Sequence, residues 1–147
     1  MQEPDPPAGH TFTPSPARIE STTGDPLLDE LFAGLTHGID WGLERIEGFL
    51  RDTGDPHRAY PCIHLGGTNG KGSVASTVAS VLELGDTTAG LYTSPHLCSF
   101  RERFRVAGQP VQDDELRDLV RELQEDIVRH GLTFFEAATG LAFHLFE

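Results

Sequence analysis

The sequence predicts an α/β domain, a mostly parallel sheet flanked by helices, with a glycine-rich loop joining the first sheet strand to a helix. Three observations carry this prediction. The order strand, glycine loop, helix, strand over residues 60–94 is the unit from which parallel α/β sheets are built. The stretch "DDELRDLVRELQEDIVRHG" has Leu116, Leu119, Val120, Leu123 and Ile127 on one helical face. Apolar runs remain short, and none reaches the roughly 18 residues of a membrane span.

The elements follow in order. Residues 1–25 contain Pro4, Pro6, Pro7, Pro14 and Pro16 with few large apolar side chains, which predicts a disordered lead-in; residues 26–147 form the folded part. "PLLDELFAGL" predicts a short helix. "GIDWGLERIEGFLRDTG" predicts a second, with Trp41, Leu43, Ile46, Phe49 and Leu50 apolar and Gly54 as its stop. "YPCIHLGG" predicts a strand ended by glycines, with Cys62 as a small buried residue. "SVASTVASVLELG" predicts a helix stopped by Gly85, and "TTAGLYTS" a second strand. In "FRERFRVAGQPV", Phe100, Phe104 and Val106 share one parity and Arg101, Arg103 and Arg105 the other, which predicts a hairpin with an exposed arginine face turning at "AGQP". The last helix begins near "TFFEAATGLAFHLFE", and a sheet of so few strands leaves its residues Leu141, Phe143, Leu145 and Phe146 expected at the surface.

Charge and cysteine content narrow the function classes. The chain has 147 residues, with 11 basic against 23 acidic side chains and a formal charge of −12. A broad nucleic-acid surface is excluded, because phosphate neutralisation by Lys and Arg dominates such binding. A single anionic ligand is not excluded, since backbone N–H groups can hold it locally. Cys62 and Cys98 make neither a metal spacing nor a disulfide framework, and no secretory leader is visible, so the expected compartment is the cytoplasm.

The loop "HLGGTNGKGSV" contains Lys71, the only lysine of the chain, among Gly66, Gly67, Gly70 and Gly72 and beside Thr68, Asn69 and Ser73. A loop entering a helix N-terminus presents unpaired N–H groups and the positive end of the helix dipole, and glycines let it curl closely around an oxygen. A lysine adds a flexible point charge suited to terminal phosphates. The pattern departs from G-x-x-x-x-G-K-[ST]: Leu65 stands at the first glycine position and Gly72 at the hydroxyl position, with Ser73 one place late. "GKGSVA" formally satisfies the dinucleotide fingerprint as well, yet the strand ending at Tyr92, Thr93 and Ser94 lacks the acid that the ribose requires. A glycine-rich tight turn explains the glycines and leaves the lone lysine unexplained.

Four segments together, "GGTNGKGS", "GLYTSPHL", "FRERFRV" and "TFFEAATGLAF", with "GIDWGLERIE" upstream, resemble the folylpolyglutamate synthase / dihydrofolate synthase family of the Mur ligase superfamily. The resemblance spans about residues 26–147 and implies a truncated Mur ligase-like central domain. It implies an ATP-dependent amide ligase that adds L-glutamate to dihydropteroate, or to the γ-glutamyl tail of folates, through an acyl phosphate. It further implies that Thr68, Asn69, Gly70, Lys71, Gly72 and Ser73 bind ATP, that Lys71 acts in catalysis, and that Ser94 and Glu136 are Mg²⁺ ligands. The family's magnesium-binding histidine, modified lysine and C-terminal domain would follow Glu147, so these residues alone are expected to be inactive. The full-length protein is expected to be a monomer acting on small molecules, with neither nucleic acid nor membrane as partner.

Alternatives stay open at several residues. Thr133-x-x-Glu136 fits a capping box, in which Glu136 only closes a helix start. Ser94-Pro95 fits an ordinary turn, and His96 fits either a pocket wall or a solvated loop. Another Mur-type amino-acid ligase, or a non-catalytic nucleotide-binding module, fits the same loop.

Overall fold

The computed structural model describes Thr23, residues 25–35 and residues 42–147. Most of the predicted lead-in, and Trp41, lie outside the described residues. Its end is built in: the Asp25 side chain caps helix α1 (Pro26–Ala33) by accepting from Leu27 N–H at 2.9 Å, and Arg117 binds the same carboxylate. Pro26 stands at the first helical position, where its missing N–H costs nothing.

Helices α2 (Glu44–Asp52), α3 (Lys71–Leu84), α4 (Asp113–Arg129) and α5 (Phe134–Leu145) follow. One buried cluster joins α1, α2, α4, α5 and a small hairpin, with Phe32, Phe49, Phe100, Phe104, Leu116, Val120, Ile127 and Leu141 at its centre. The face predicted for residues 113–130 is the one buried: Leu116, Val120, Leu123 and Ile127 face the core, while Asp113, Asp114 and Glu115 sit at the positive end of the helix.

The sheet differs from expectation. Strands β1 (Gly90–Tyr92), β2 (Phe104–Val106) and β3 (Gln109–Pro110) lie in the order β1-β2-β3 and pair antiparallel, with Tyr92 opposite Phe104 and Arg105 opposite Pro110. The hairpin is present and turns at Ala107 and Gly108, both at positive φ. No parallel pair occurs among the described residues. Residues 61–67 form no strand there, because no neighbouring strand takes up their N–H and C=O groups. Cys62 is accordingly exposed rather than buried, and Ile63 is 64% exposed.

The arginine face is also redrawn. Residues Phe100–Arg103 form a short 3-10 helix, not a strand. Three residues per turn bring Phe100 and Arg103 to the same side, so Arg103 is buried where alternation placed it in solvent. Its guanidinium carbon lies 5.6 Å from the Phe100 ring centroid and 5.2 Å from that of Phe134.

Helix α5 does not expose the four apolar residues expected at the surface, although Phe135 in its first turn is 57% exposed. Leu141 is fully buried, and Phe143, Leu145 and Phe146 are half-buried against the core. Tyr60 Oη donates to the Phe143 carbonyl at 2.9 Å, and Phe146 lies over Gly90 so closely that a Cβ there would stand 2.5 Å from the ring. Helix α3, which rests on β1, exposes several apolar residues: Val74 is 51%, Val81 61% and Leu84 87% exposed.

Gly140 marks a close contact between α2 and α5, for a Cβ on it would lie 2.6 Å from Phe49 Cε1. Phe49 is fully buried within the core cluster. Gly140→Ala should therefore lower stability by about 1–3 kcal/mol despite the better helix propensity of alanine. Equilibrium denaturant unfolding measures this; a variant at least as stable as the parent would contradict the packing described.

Candidate functional site

The glycine loop and the start of α3 form an exposed unit. Gly67 (φ +141°) and Gly70 (φ +76°) hold backbone conformations that side chains other than glycine rarely adopt. Gly66 and Gly72 have ordinary φ values and open space where a Cβ would stand, so the loop's own fold does not require glycine there. Gly70 is the N-cap of α3, no side chain caps the helix start, and the first turn contains no acidic residue. Val74 N–H is the first taken by the helix, by Gly70 C=O at 3.0 Å, which leaves the preceding N–H groups to solvent or a ligand. Lys71 folds back over the loop, its Nζ donating to the Gly67 carbonyl at 2.7 Å. Thr68, Asn69 and Ser73 are exposed beside it. In a chain of formal charge −12, residues 56–82 contain no Asp or Glu at all.

The loop after β1 runs from Thr93 to Ser99, and Ser94 is exposed on it. The Ser94–Pro95 peptide is cis. Thr93 N–H donates to the Arg103 carbonyl at 3.0 Å, and Arg103 Nε donates to His96 Nδ1 at 2.9 Å. Burial, and then the Arg103 charge, depress the His96 pKa, so neutral imidazole is favoured with Nδ1 as acceptor. The Glu102 carboxylate accepts from Leu97 N–H at 2.9 Å, from Cys98 N–H at 3.2 Å and from Ser99 N–H at 2.9 Å. Sequence reasoning passed over Glu102 and placed Arg103 on an exposed strand face, whereas it is buried. The Ser99-x-x-Glu102 spacing was the available signal, since it is a capping-box pattern.

Glu136 sits apart from both loops in its bonding. It closes a capping box with Thr133: Thr133 N–H donates to Glu136 Oε2 at 2.8 Å and Glu136 N–H to Thr133 Oγ1 at 3.3 Å. Arg45 of α2 binds both carboxylate oxygens, Nε to Oε2 at 3.3 Å and Nη2 to Oε1 at 3.1 Å. Burial alone would raise the Glu136 pKa, but the hydrogen bonds from Thr133 and Arg45 outweigh it and the net shift is downward. Among the described residues no group of three His, Cys, Asp or Glu side chains is placed to hold a metal ion. A groove of about 500 Å³ between α1 and α4, lined by Leu27, Leu31 and Val128 among others, includes none of the predicted site residues.

No family model matches the chain. Curated proteins do. It is 39% identical over 111 residues to a probable bifunctional folylpolyglutamate synthase/dihydropteroate synthase of Haloferax volcanii, covering 72% of this chain and 13% of that protein. It is 35% identical over 118 residues to a dihydrofolate synthase/folylpolyglutamate synthase of Bacillus subtilis, covering 76% and 27%. Among solved structures, folylpolyglutamate synthase of Mycobacterium tuberculosis complexed with ADP superposes with a TM-score of 0.75 at 33% identity, covering 82% of this chain and 29% of that one. The Thermotoga maritima folylpolyglutamate synthase gives 0.73 at 38% identity, with the same coverage of 82% and 29%. The chain thus spans only about an eighth to a quarter of the length of these two curated relatives.

The carboxylates give a pH test of the Glu136 geometry. Its folded pKa, like that of Asp25, lies below the ordinary value, so on acidification the unfolded chain takes up protons first. Stability from these groups is present above the ordinary carboxylate range near 4.5 and lost as pH falls through the depressed folded values. Glu136→Gln should cost about 1–3 kcal/mol at pH 7, since Arg45 keeps some solvent contact, and should flatten this acid-side decline. Denaturant unfolding of both proteins between neutral and acid pH measures it; an unchanged acid limb would refute the assignment.

Proposed function

We propose, for a chain that belongs to the folylpolyglutamate synthase / dihydrofolate synthase family, that its protein is an ATP-dependent carboxylate–amine ligase. The observation that carries this reading is the exposed glycine loop with Lys71 at an uncapped, carboxylate-free helix start. It occurs in a chain similar to an enzyme whose structure contains ADP. The reaction transfers the γ-phosphoryl group of ATP to a carboxylate of dihydropteroate or of a folate's glutamyl tail. The amine of L-glutamate then attacks the acyl phosphate, an amide forms and phosphate leaves.

In this reading the loop's work is electrostatic. N–H groups of the first turn of α3 and the Lys71 ammonium face the phosphates and neutralise charge as it shifts between oxygens. Lys71 exchanges its neutral partner, the Gly67 carbonyl, for an anionic one. Thr68, Asn69 and Ser73 line the same loop, and Gly70 supplies its left-handed turn. Of the two residues that the resemblance offers to Mg²⁺, Ser94 is exposed, whereas Glu136 is committed to Thr133 and Arg45. We therefore assign Glu136 to the framework joining α2 and α5, and keep Ser94 as a candidate oxygen toward the metal that accompanies ATP.

Glutamate incorporation by the full-length protein, with ATP and each pterin acceptor in turn, tests the reading directly; no incorporation with either would overturn it. In the same assay Lys71→Ala should lose roughly 100- to 1,000-fold in turnover while folding normally, because its side chain has no packing role. Gly72→Ala separates ligand from fold. It should keep or raise stability, by up to about 1 kcal/mol, yet weaken nucleotide binding by obstructing the phosphates. Calorimetric titration with ADP checks it; undiminished affinity would show that Gly72 does not face the nucleotide.

A further inference from the structure

The loop from Thr93 to Ser99 has no regular secondary structure, and its largest apolar side chain, Leu97, is 91% exposed. Apolar burial therefore does little to hold its tip. What holds it comes from the adjoining 3-10 helix and is mainly polar, beside an edge-on contact of the His96 ring with Phe100 at 5.9 Å. Arg103 supplies a carbonyl to Thr93 N–H and a guanidinium N–H to His96. Glu102 supplies acceptors to three consecutive N–H groups, at Leu97, Cys98 and Ser99. A capping box requires only one of these; a carboxylate has lone-pair sites for all three, and charge makes each bond stronger. The 3-10 helix is itself fixed in the core through Phe100, which is fully buried.

We propose that Glu102 is a positioning residue, whose carboxylate gathers the Leu97, Cys98 and Ser99 N–H groups and so sets the course of the loop that carries Ser94 and His96. The proposal rests on the reading of that loop as part of the ligase site. Glu102 touches no reacting atom in it. Its effect on turnover passes through the backbone it holds, while the Lys71 loop, built on α3, keeps its nucleotide affinity.

Amide hydrogen exchange and kinetics on the full-length protein test this with Glu102→Ala and Glu102→Gln. In Glu102→Ala, exchange at residues 97–99 of the free protein should accelerate on the order of tenfold or more. Turnover at saturating ATP should fall on the order of 100-fold, with the KM for ATP unchanged. Glu102→Gln, which keeps one acceptor oxygen, should fall between it and the parent in both readouts. Unchanged exchange at 97–99, or full turnover despite faster exchange, would overturn the proposal. So would a turnover loss seen only where the variant unfolds, since a merely structural cap predicts that. Lys71→Ala, run in parallel, separates the two ideas. Its loss of turnover beside a fully active Glu102→Ala sinks the positioning role alone, whereas absence of glutamate incorporation by the parent protein sinks the ligase reading on which that role rests.

Discussion

The ring of Phe100 is the point on which core and candidate site both depend. It packs edge-on to Phe32 of α1 at 5.0 Å and to Phe104 of β2 at 5.2 Å, and lies 5.7 Å from Phe134 at the start of α5. Three elements distant in sequence thus meet on one side chain, and Arg103 covers the Phe100 and Phe134 rings with its guanidinium. Aromatic contacts of this kind add to the area they bury, and they fix orientation as well as proximity. Because Phe100 opens the 3-10 helix that holds residues 93–99, the precision of an exposed loop derives from a buried ring.

Local patterns were legible where one element sufficed to satisfy them. The amphipathic stripe of α4, the glycine stop of α3 and the Thr133–Glu136 capping box all depend on residues within a few positions of each other. Patterns that need a partner were not. The period-two alternation around residues 100–106 looked like one strand, yet Ser99 and Glu102 close a capping box that nucleates a 3-10 helix over its first half. The "YPCIHLGG" segment has strand composition, but a parallel strand exists only beside a neighbour, and none flanks residues 61–67 among the described residues. Arg45 was visible in the "GLER" segment and Glu136 in "FFE", while their pairing over 91 positions was not.

Charge distribution shows how so acidic a chain can carry the anion site proposed for its glycine loop. Several carboxylates are paired at the surface, as Asp25 with Arg117 and Asp52 with Arg129, or placed at the start of α4 where the helix dipole favours them. The span from residue 56 to 82, which contains the glycine loop, has none. Net charge governs long-range encounter and solubility, but its influence fades over a Debye length of about 10 Å at moderate salt. Over shorter distances the N–H groups at the start of α3 and the one ammonium are the positive groups that the loop itself supplies.

That ammonium is why the single lysine stands where it does. Its hydrogen bond to the Gly67 carbonyl spans only four positions and closes over a loop in which Gly67 and Gly70 take backbone conformations open chiefly to glycine. A compact, freely rotating donor makes that contact and can leave it, whereas the planar fork of arginine is suited to bidentate partners held in one orientation. The carbonyl is a neutral acceptor, and an approaching phosphate is a charged one that also draws on the unpaired N–H groups of the helix start. The contact thus orients Lys71 over the loop without competing strongly for it. The geometry of the loop and the chemistry proposed for it converge on the same side chain.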